Sequence, residues 1–174
     1  MSPRAGVPNV IARTARLTLR HLDTGDAEFI LELLNEPGFL HFIGDKGVRT
    51  PDDARKYLRE GPMASYVRNG YGLLAVEIED RTPVGICGLV RREGLDDTDV
   101  GFAFLERHAG RGYATESAAA VLEHARRDLK IARIVAITDP RNGASIAVLE
   151  KIGLKFERRV RLDPKDIELN LYAT

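Results

Sequence analysis

The segment between positions 105 and 116 has the residue types and spacing of an anion-binding turn. It reads Leu-Glu-Arg-His-Ala-Gly-Arg-Gly-Tyr-Ala-Thr-Glu. Gly110 and Gly112 allow the backbone to turn with its amides directed outward, and the helix predicted after them adds the positive end of its dipole. Arg107 and Arg111 contribute positive charge, and no acidic residue follows Arg107 until the last position of the segment. These features predict a site for a diphosphate group.

Other interpretations of the same glycine spacing differ in how well they fit. A Rossmann loop requires a third glycine where this sequence has Thr115, so that class fits poorly. A P-loop is excluded because no Gly-Lys followed by Ser or Thr occurs in the segment. A flexible turn that merely precedes a helix fits the glycine spacing as well as a phosphate site does.

Length, charge and composition limit the class of protein. The 174 residues correspond to one domain, and 44% hydrophobic with 30% charged residues is an ordinary globular composition. Twenty-six Lys and Arg balance twenty-six Asp and Glu, whereas proteins that bind nucleic-acid phosphates are usually more basic. No apolar run reaches about 18 residues, and the N-terminus lacks a signal-peptide pattern. We therefore expect a cytoplasmic protein with no nucleic-acid partner and no membrane partner.

The cysteine and histidine residues do not indicate a metal site. Cys87 is the single cysteine, which excludes an internal disulfide and a cysteine-rich zinc site. Its apolar neighbours favour a buried thiol rather than a nucleophile. The four histidines show no metal-ligand spacing, so we expect a protein that needs no metal.

Hydrophobic periodicity gives the elements that must position the glycine segment. An N-terminal tail at 1–13 precedes a single domain at 14–174, whose elements follow the order β-α-α-β-β-β-α-β-α-β-β. Predicted strands lie at 14–20, 71–78, 83–90, 99–105, 131–138, 155–161 and 167–172. Predicted helices lie at 24–34, 50–58, 62–68, 115–129 and 142–152. The strand–helix–strand unit from Asp99 to Thr138 should place its two strands in parallel.

Two motifs at a matching distance resemble those of a known enzyme superfamily. Arg107-x-x-Gly110-x-Gly112, followed by Tyr-Ala-Thr-Glu, resembles the acetyl-CoA motif of the GNAT N-acetyltransferases. About 30 residues later, the segment from Asn142-Gly-Ala-Ser to Glu-Lys-Ile-Gly-Leu154 resembles the second motif of that family, although Leu154 stands where the family usually has Phe. The chain from residue 14 onward is covered, and the branch it most resembles is that of the ribosomal-protein N-terminal acetyltransferases.

The resemblance implies a fold and an activity. The fold is GNAT-like and mixed α/β (α+β), with a twisted mixed sheet of six or seven strands and about four flanking helices. The parallel strands splay apart at the cofactor cleft. The activity is direct transfer of an acetyl group from acetyl-CoA (coenzyme A), as cosubstrate, to a primary amine in a ternary complex. The acceptor is a small molecule or a protein N-terminus, and the enzyme is a monomer or a homodimer.

The resemblance also implies which residues contact the cofactor. The backbone near Phe104 and Leu105 would pair with the pantetheine arm, the amides from Arg107 to Gly112 would bind the pyrophosphate, and Asn142 would bond the pantetheine amide region. A helix N-cap is the alternative role for Asn142. The expected cofactor-binding residues are Phe104, Leu105, Arg107, Gly110, Arg111, Gly112, Tyr113, Ala114 and Asn142.

Two residues are candidates for catalytic proton transfer. In this branch a serine at the position of Ser145 can protonate the departing thiolate; the alternative is that Ser145 only satisfies the first helical turn. Leu149 replaces the tyrosine that many members use as the acid, but a thiol pKa of roughly 8.5 makes the thiolate a fair leaving group. Asp99 is the candidate base. It could instead belong to a solvated acidic turn with nearby carboxylates, which could attract a cationic amine.

The acceptor side and the activity itself leave alternatives open. An α-amine, with a pKa of about 7.7–8.0, has a larger neutral fraction at pH 7 than a lysine side chain. An active site with weak general acid and base groups therefore favours α-amines as acceptors. Aromatic residues of the early helices and their loops could line the acceptor pocket, or pack in the core: Phe39, His41, Phe42, Tyr66 and Tyr71. A catalytically weak acyl-CoA-binding sensor or regulatory module is the alternative function.

Overall fold

The computed structural model describes residues 9–174, and its centre is an eight-stranded mixed sheet. The strands are β1 (Val10–Arg13), β2 (Thr18–His21), β3 (Leu73–Glu77), β4 (Pro83–Val90), β5 (Thr98–Phe104), β6 (Ile134–Thr138), β7 (Lys155–Val160) and β8 (Leu169–Ala173). Their order across the sheet is β1-β2-β3-β4-β5-β6-β8-β7. The β5–β6 pair is parallel and the other pairs are antiparallel.

Helices cover both faces of this sheet. The α-helices are α1 (Ala27–Leu34), α2 (Pro37–Phe42), α3 (Pro51–Leu58), α4 (Ala64–Asn69), α5 (Tyr113–Arg127) and α6 (Gly143–Lys151). A π-helical turn at Arg59–Met63 joins α3 to α4. Short 3-10 turns lie at Thr24–Asp26 and Glu106–His108. The mixed GNAT-like architecture is confirmed, with six α-helices in the described residues instead of about four. Helix α4 matches the helix predicted at 62–68, whereas α2 is a short element that the sequence did not predict.

The first strand corrects both the expected strand count and the expected boundary at residue 13. The sequence predicts one strand at 14–20, whereas the chain turns there, with the Thr14 amide donating to the Leu17 carbonyl at 2.9 Å. Residues Val10–Arg13, expected in the tail, pair antiparallel with β2. This pairing adds the eighth strand; residues 1–8 of the expected tail lie outside the described part of the chain.

The parallel strands β5 and β6 separate soon after they begin. Their register joins Thr98 to Ile134 and Asp99 to Val135, after which no further pair follows. Along its other edge β5 stays paired with β4 as far as Phe104. The second half of β5 therefore borders a gap, as the predicted splayed pair requires.

Alternation along β5 decides which side chains face which helical layer. Val100, Phe102 and Phe104 belong to the hydrophobic layer that α5 covers, whereas Ala103 packs in the layer beneath α1 and α3. Successive side chains of a strand point to opposite faces. Asp99 therefore lies on the same face as Ala103, towards the early helices.

Candidate active site

A cavity of about 860 Å³ extends from the gap between β5 and β6. On one side it reaches the 106–112 loop and the first residues of α5 and α6. On the other side it continues against α2, α3 and α4. Two ligands that enter from these sides can therefore meet inside one cavity.

The glycine loop presents free amides to this cavity. Gly110 and Gly112 have φ values of 74° and 82°, a left-handed conformation that favours glycine. Within residues 9–174 no acceptor is found for the amides of Gly110, Arg111 and Gly112. The first amides of the 15-residue α5 also lack intrahelical partners. Tyr113 and Ala114, at the start of α5, line the cavity with the loop. The loop thus has the outward amides and the dipole that a pyrophosphate site needs.

A residue far upstream holds this loop in place. Arg16 donates from Nε to Glu116 Oε1 at 2.8 Å and from Nη1 to the Arg111 carbonyl at 2.8 Å. Its guanidinium also lies over the Tyr113 ring, 4.7 Å from the ring centroid. Thr14 adds a hydrogen bond to Glu116. The sequence motif contains Glu116, but nothing in it indicates Arg16 as its partner.

Two expected cofactor residues are directed away from the cavity. The Leu105 amide donates to the Val84 carbonyl at 3.0 Å, its carbonyl accepts from the His108 amide at 2.9 Å, and its side chain is fully buried. The Arg107 guanidinium pairs with Glu32 and does not line the cavity. Both backbone groups of Leu105 are therefore already paired within the protein, and the Arg107 side chain is held outside the cavity by Glu32.

The backbone groups of Phe104 face the gap between β5 and β6. Because Leu105 donates to β4, antiparallel alternation turns the backbone groups of Phe104 and Phe102 the other way, towards the gap left by β6. Neither residue is paired with β6. An extended ligand in this gap can pair with β5 as a strand would.

Asn142 and Ser145 meet at the start of α6. The Asn142 side-chain oxygen accepts from the Ser145 amide at 3.2 Å, so Asn142 is the N-cap of this helix. No hydrogen bond is found for Asn142 Nδ2 or Ser145 Oγ within the described residues, and both residues line the cavity. Capping thus leaves one donor of Asn142 and the serine hydroxyl available to a ligand.

Asp99 lies at the point where β5 and β6 part, with its side chain 1% exposed. Arg92 Nε donates to its Oδ2, while Oδ1 is buried with no hydrogen-bond partner in residues 9–174. Burial raises the pKa of Asp99 to about 6, and this shift is opposed by the charge and hydrogen bond of Arg92 and, more weakly, by the nearby backbone amide of Ile137. A carboxylate with this pKa is mostly ionised at neutral pH and can accept a proton.

The neighbouring acidic residues do not share this environment. Asp97 pairs with Arg133 at 3.0 Å, and neither it nor Glu93 and Asp96 line the cavity. The alternative that Asp99 is one member of a solvated acidic turn therefore fails, because Asp99 is buried and its neighbours are not.

The aromatic residues proposed for the acceptor pocket divide into two groups. Phe39 and Phe42 line the cavity from α2. The other three, His41, Tyr66 and Tyr71, do not line it. The Tyr66 hydroxyl instead accepts a hydrogen bond from the Leu22 amide at 2.9 Å and donates one to the Leu73 carbonyl. The elements predicted from the sequence include no helix between residues 35 and 49, whereas Pro37 begins a short helix from which Phe39 and Phe42 face the cavity.

Further ionisable residues of the cavity were not identified from the sequence. Arg92 and Lys46 lie on the side of the early helices, and the buried Asp139 lies at the end of β6. Arg141 bonds Asp139 at 2.7 Å and lowers the pKa of that carboxyl to about 2. Each follows a strand or lies in a loop, positions that carry no local signal of a site.

Within the described part of the chain, no helix is long and apolar enough to cross a bilayer. The same residues contain no cluster of three side chains suited to bind a metal ion.

Residues 16–155 match the family profile described as acetyltransferase (GNAT) domain, which spans most of the chain. The chain belongs to the GNAT acetyltransferase family. A relative described as the uncharacterized protein YkkB of Bacillus subtilis is 30% identical over 154 residues, covering 85% of this chain and 87% of its own. YnaD of the same organism, described as an uncharacterized N-acetyltransferase, is 25% identical over 83% of this chain and 82% of its own.

Solved structures agree with this assignment. An acetyltransferase from Agrobacterium tumefaciens superposes with a TM-score of 0.79 at 27% identity, covering 100% of this chain and 98% of that one. RimL, described as a ribosomal L7/L12 alpha-N-protein acetyltransferase in complex with coenzyme A, gives a TM-score of 0.82 at 20% identity. The match covers 95% of this chain and 97% of the RimL chain. The second likeness shows a shared fold.

Proposed function

We propose that this GNAT protein transfers the acetyl group of acetyl-CoA directly to a primary amine within a ternary complex. The observation that carries the proposal is the single cavity that joins the free amides of the glycine loop to the unpartnered oxygen of Asp99. One end suits a pyrophosphate and the other end suits a group that loses a proton.

The chain's own groups would bind two parts of the cosubstrate, the pyrophosphate and the pantetheine arm. The amides of Gly110, Arg111 and Gly112 and the start of α5 would hold the pyrophosphate. The unpaired backbone of Phe104 would bond the pantetheine arm, with Asn142 Nδ2 as a further donor. RimL, which shares the fold, binds coenzyme A.

The transfer step uses Asp99 and Ser145, which both line the cavity. The amine nitrogen attacks the thioester carbonyl, a C–N bond forms, and the C–S bond breaks to release the CoA thiolate. Asp99 Oδ1 takes the proton that the nitrogen loses, directly or through water, and releases it to solvent after the transfer. Ser145 Oγ passes a proton to the thiolate and regains one from water. The neutral fraction of an α-amine near pH 7 is roughly one tenth, which suits a base of this strength.

A covalent acyl-cysteine route does not fit the single thiol of the chain. Cys87 is fully buried and does not line the cavity. Burial raises its pKa to about 12, with a weaker opposing effect of Ser117. Direct transfer is therefore the mechanism that these residues support.

The acceptor class has support from two sides. RimL is described as a ribosomal alpha-N-protein acetyltransferase, which supports a protein α-amine as the acceptor. A second neighbour, described as MccE in complex with acetyl-CoA and AMP, is 16% identical with a TM-score of 0.75, and it supports a small-molecule site in this fold.

Because acetyl-CoA is an intracellular metabolite, we place the reaction in the cytoplasm. We also propose a monomer or a homodimer, which light scattering would measure.

Steady-state release of the CoA thiol against a panel of amines tests the proposal. Direct transfer predicts intersecting initial-velocity lines when amine and acetyl-CoA are both varied. Calorimetry with acetyl-CoA measures binding independently. Binding without turnover on any amine would favour the acyl-CoA sensor, an alternative supported by Leu149, which is 1% exposed in the core where many relatives have a catalytic tyrosine.

A further inference from the structure

The acceptor side of the cavity has a basic wall, formed by Arg92 and Lys46. Arg92 follows β4, and its side chain is 33% exposed. Arg92 donates to Asp99 through Nε alone, and within residues 9–174 no hydrogen bond is found for Nη1 or Nη2. A guanidinium carries five N–H donors in a planar fork. Four of them therefore remain available beside the candidate base.

Lys46 adds a second cation without a carboxylate partner. It lines the same cavity from the loop after α2, and no ion pair with it is found in the described residues. Lys46 is an exposed residue at the mouth of the cavity, and partial loss of water around its side chain together with the positive charge of Arg92 lowers the pKa of Lys46. Two neighbouring cations that repel each other are stabilised when an anion lies between them.

The remaining charges along this side do not cancel the basic wall. Arg68 and Arg91 also line the cavity, as do Glu36 and Glu60. Neither glutamate forms an ion pair with Arg92 or Lys46. The acidic turn near residue 97, which could have attracted a cationic amine, lies outside the cavity and pairs with Arg133.

We propose that the acceptor is a small amine that also carries an oxyanion, a carboxylate or a phosphate, bound by Arg92 and Lys46. This inference rests on the proposed acetyl transfer and names its acceptor class. Arg92 connects the two tasks, because Nε holds Asp99 while Nη1 and Nη2 face the oxyanion. The amine of the same molecule then lies next to Asp99 Oδ1. A polyamine has the opposite charge and is a poor fit.

Matched amines test the acceptor class on the full-length protein. The comparison uses alanine against alaninamide, phosphoethanolamine against ethanolamine, and spermidine as the cationic amine. We expect kcat/KM, corrected for the neutral fraction of each amine, to be at least about tenfold higher for one anionic member than for its uncharged partner. The two pairs distinguish a carboxylate from a phosphate. Equal or higher values for the uncharged amines or spermidine would overturn the inference.

Lys46 provides the matched variants. Lys46→Met should raise KM for the preferred anionic amine about five- to tenfold, and it should leave the KM of acetyl-CoA and of the uncharged partner unchanged. Lys46→Arg should restore most of the affinity. Lys56→Met removes the same charge from the exposed side of α3, outside the cavity, and should behave as wild type.

The failures of the two proposals can be distinguished. Equal effects of Lys46→Met on charged and uncharged amines would overturn the oxyanion site while acetyl transfer stands. Bound acetyl-CoA with no transfer to any amine would overturn the proposed function, and the acceptor class with it.

Discussion

Arg16 and Glu116 form an ion pair at 2.8 Å across 100 positions of sequence. Arg16 lies in the turn between β1 and β2, and Glu116 lies in the first turn of α5. The same guanidinium bonds the Arg111 carbonyl inside the glycine loop. The N-terminal hairpin therefore fixes the conformation of a loop that it does not belong to.

Replacement of Arg16 by leucine should loosen this loop. Arg16→Leu removes the bonds to Glu116 and Arg111 but no group that faces the cavity. Because the pair is partly exposed, we expect a loss of about 1 kcal/mol, which corresponds to a roughly fivefold rise in the Kd of acetyl-CoA by calorimetry. Arg127→Leu breaks an exposed pair elsewhere on α5 and should leave this Kd unchanged. An unaltered Kd of acetyl-CoA in a folded Arg16→Leu protein would show that the glycine loop keeps its conformation without the Arg16 contacts.

Gly112 should not tolerate a side chain. Its φ of 82° is strained for valine, and an added Cβ would lie 3.3 Å from Arg16 Nη2. Gly112→Val should raise the Kd of acetyl-CoA at least about tenfold, since strain of about 1–3 kcal/mol displaces the amides that face the phosphates.

Gly153→Val is the matched control for this effect. Gly153 has a φ of 95°, with open space around its added Cβ, and lies outside the cavity. It should lower stability similarly and leave acetyl-CoA affinity intact. If the two variants bind acetyl-CoA alike, the loop is not the phosphate site.

Asp99→Asn should change the pH dependence of the reaction. With the pKa of Asp99 raised to about 6 by burial, the base loses its proton as pH rises through 6, so kcat/KM for the amine should rise there. In the Asp99→Asn variant this rise of kcat/KM near pH 6 should disappear, and kcat/KM should be roughly 10²–10⁴-fold lower than in the wild type. The deficit should shrink as pH approaches the pKa of the amine, because the neutral amine then forms without a base.

Asp97→Asn provides the control for the pH profile. It removes a carboxylate two positions away that pairs with Arg133 outside the cavity. Its profile should match that of the wild type. A folded Asp99→Asn protein with the wild-type profile would exclude Asp99 as the base.

Ser145→Ala should lower kcat with no rescue by pH. The hydroxyl has no partner in residues 9–174 and faces the cavity, so its removal costs the proton delivered to the thiolate but not the cap made by Asn142. We expect a loss of about tenfold or more in kcat with an unchanged KM for the amine, measured by thiol release. Equal kcat values would assign protonation of the thiolate to water.

The same substitution has a readout independent of turnover. The helix cap uses the Ser145 amide rather than its hydroxyl, so the melting temperature should stay within a few degrees of the wild-type value. A large fall in melting temperature would mean that a lower kcat reports a damaged fold instead of a lost acid.

The sequence by itself determined the features that depend on neighbours in the chain. Gly110 and Gly112 mark a left-handed turn before a helix, and the apolar period after them predicts α5. A long crossover after Asp99 predicts that the two strands it joins are parallel, and the family resemblance adds that they splay apart. These features are local, because a turn needs particular backbone angles and a helix needs a repeat of 3.6 residues.

Only the tertiary structure decided which distant groups meet. The pairing of Arg16 with Glu116, the engagement of Arg107 by Glu32, and the burial of Asp99 against Arg92 have no counterpart in spacing or composition. The early strand at Val10–Arg13 was also missed, since four residues carry too little alternation to identify a strand without its partner. Ion pairs, burial and strand pairing depend on the final packing of several elements, and packing is a property of the whole fold.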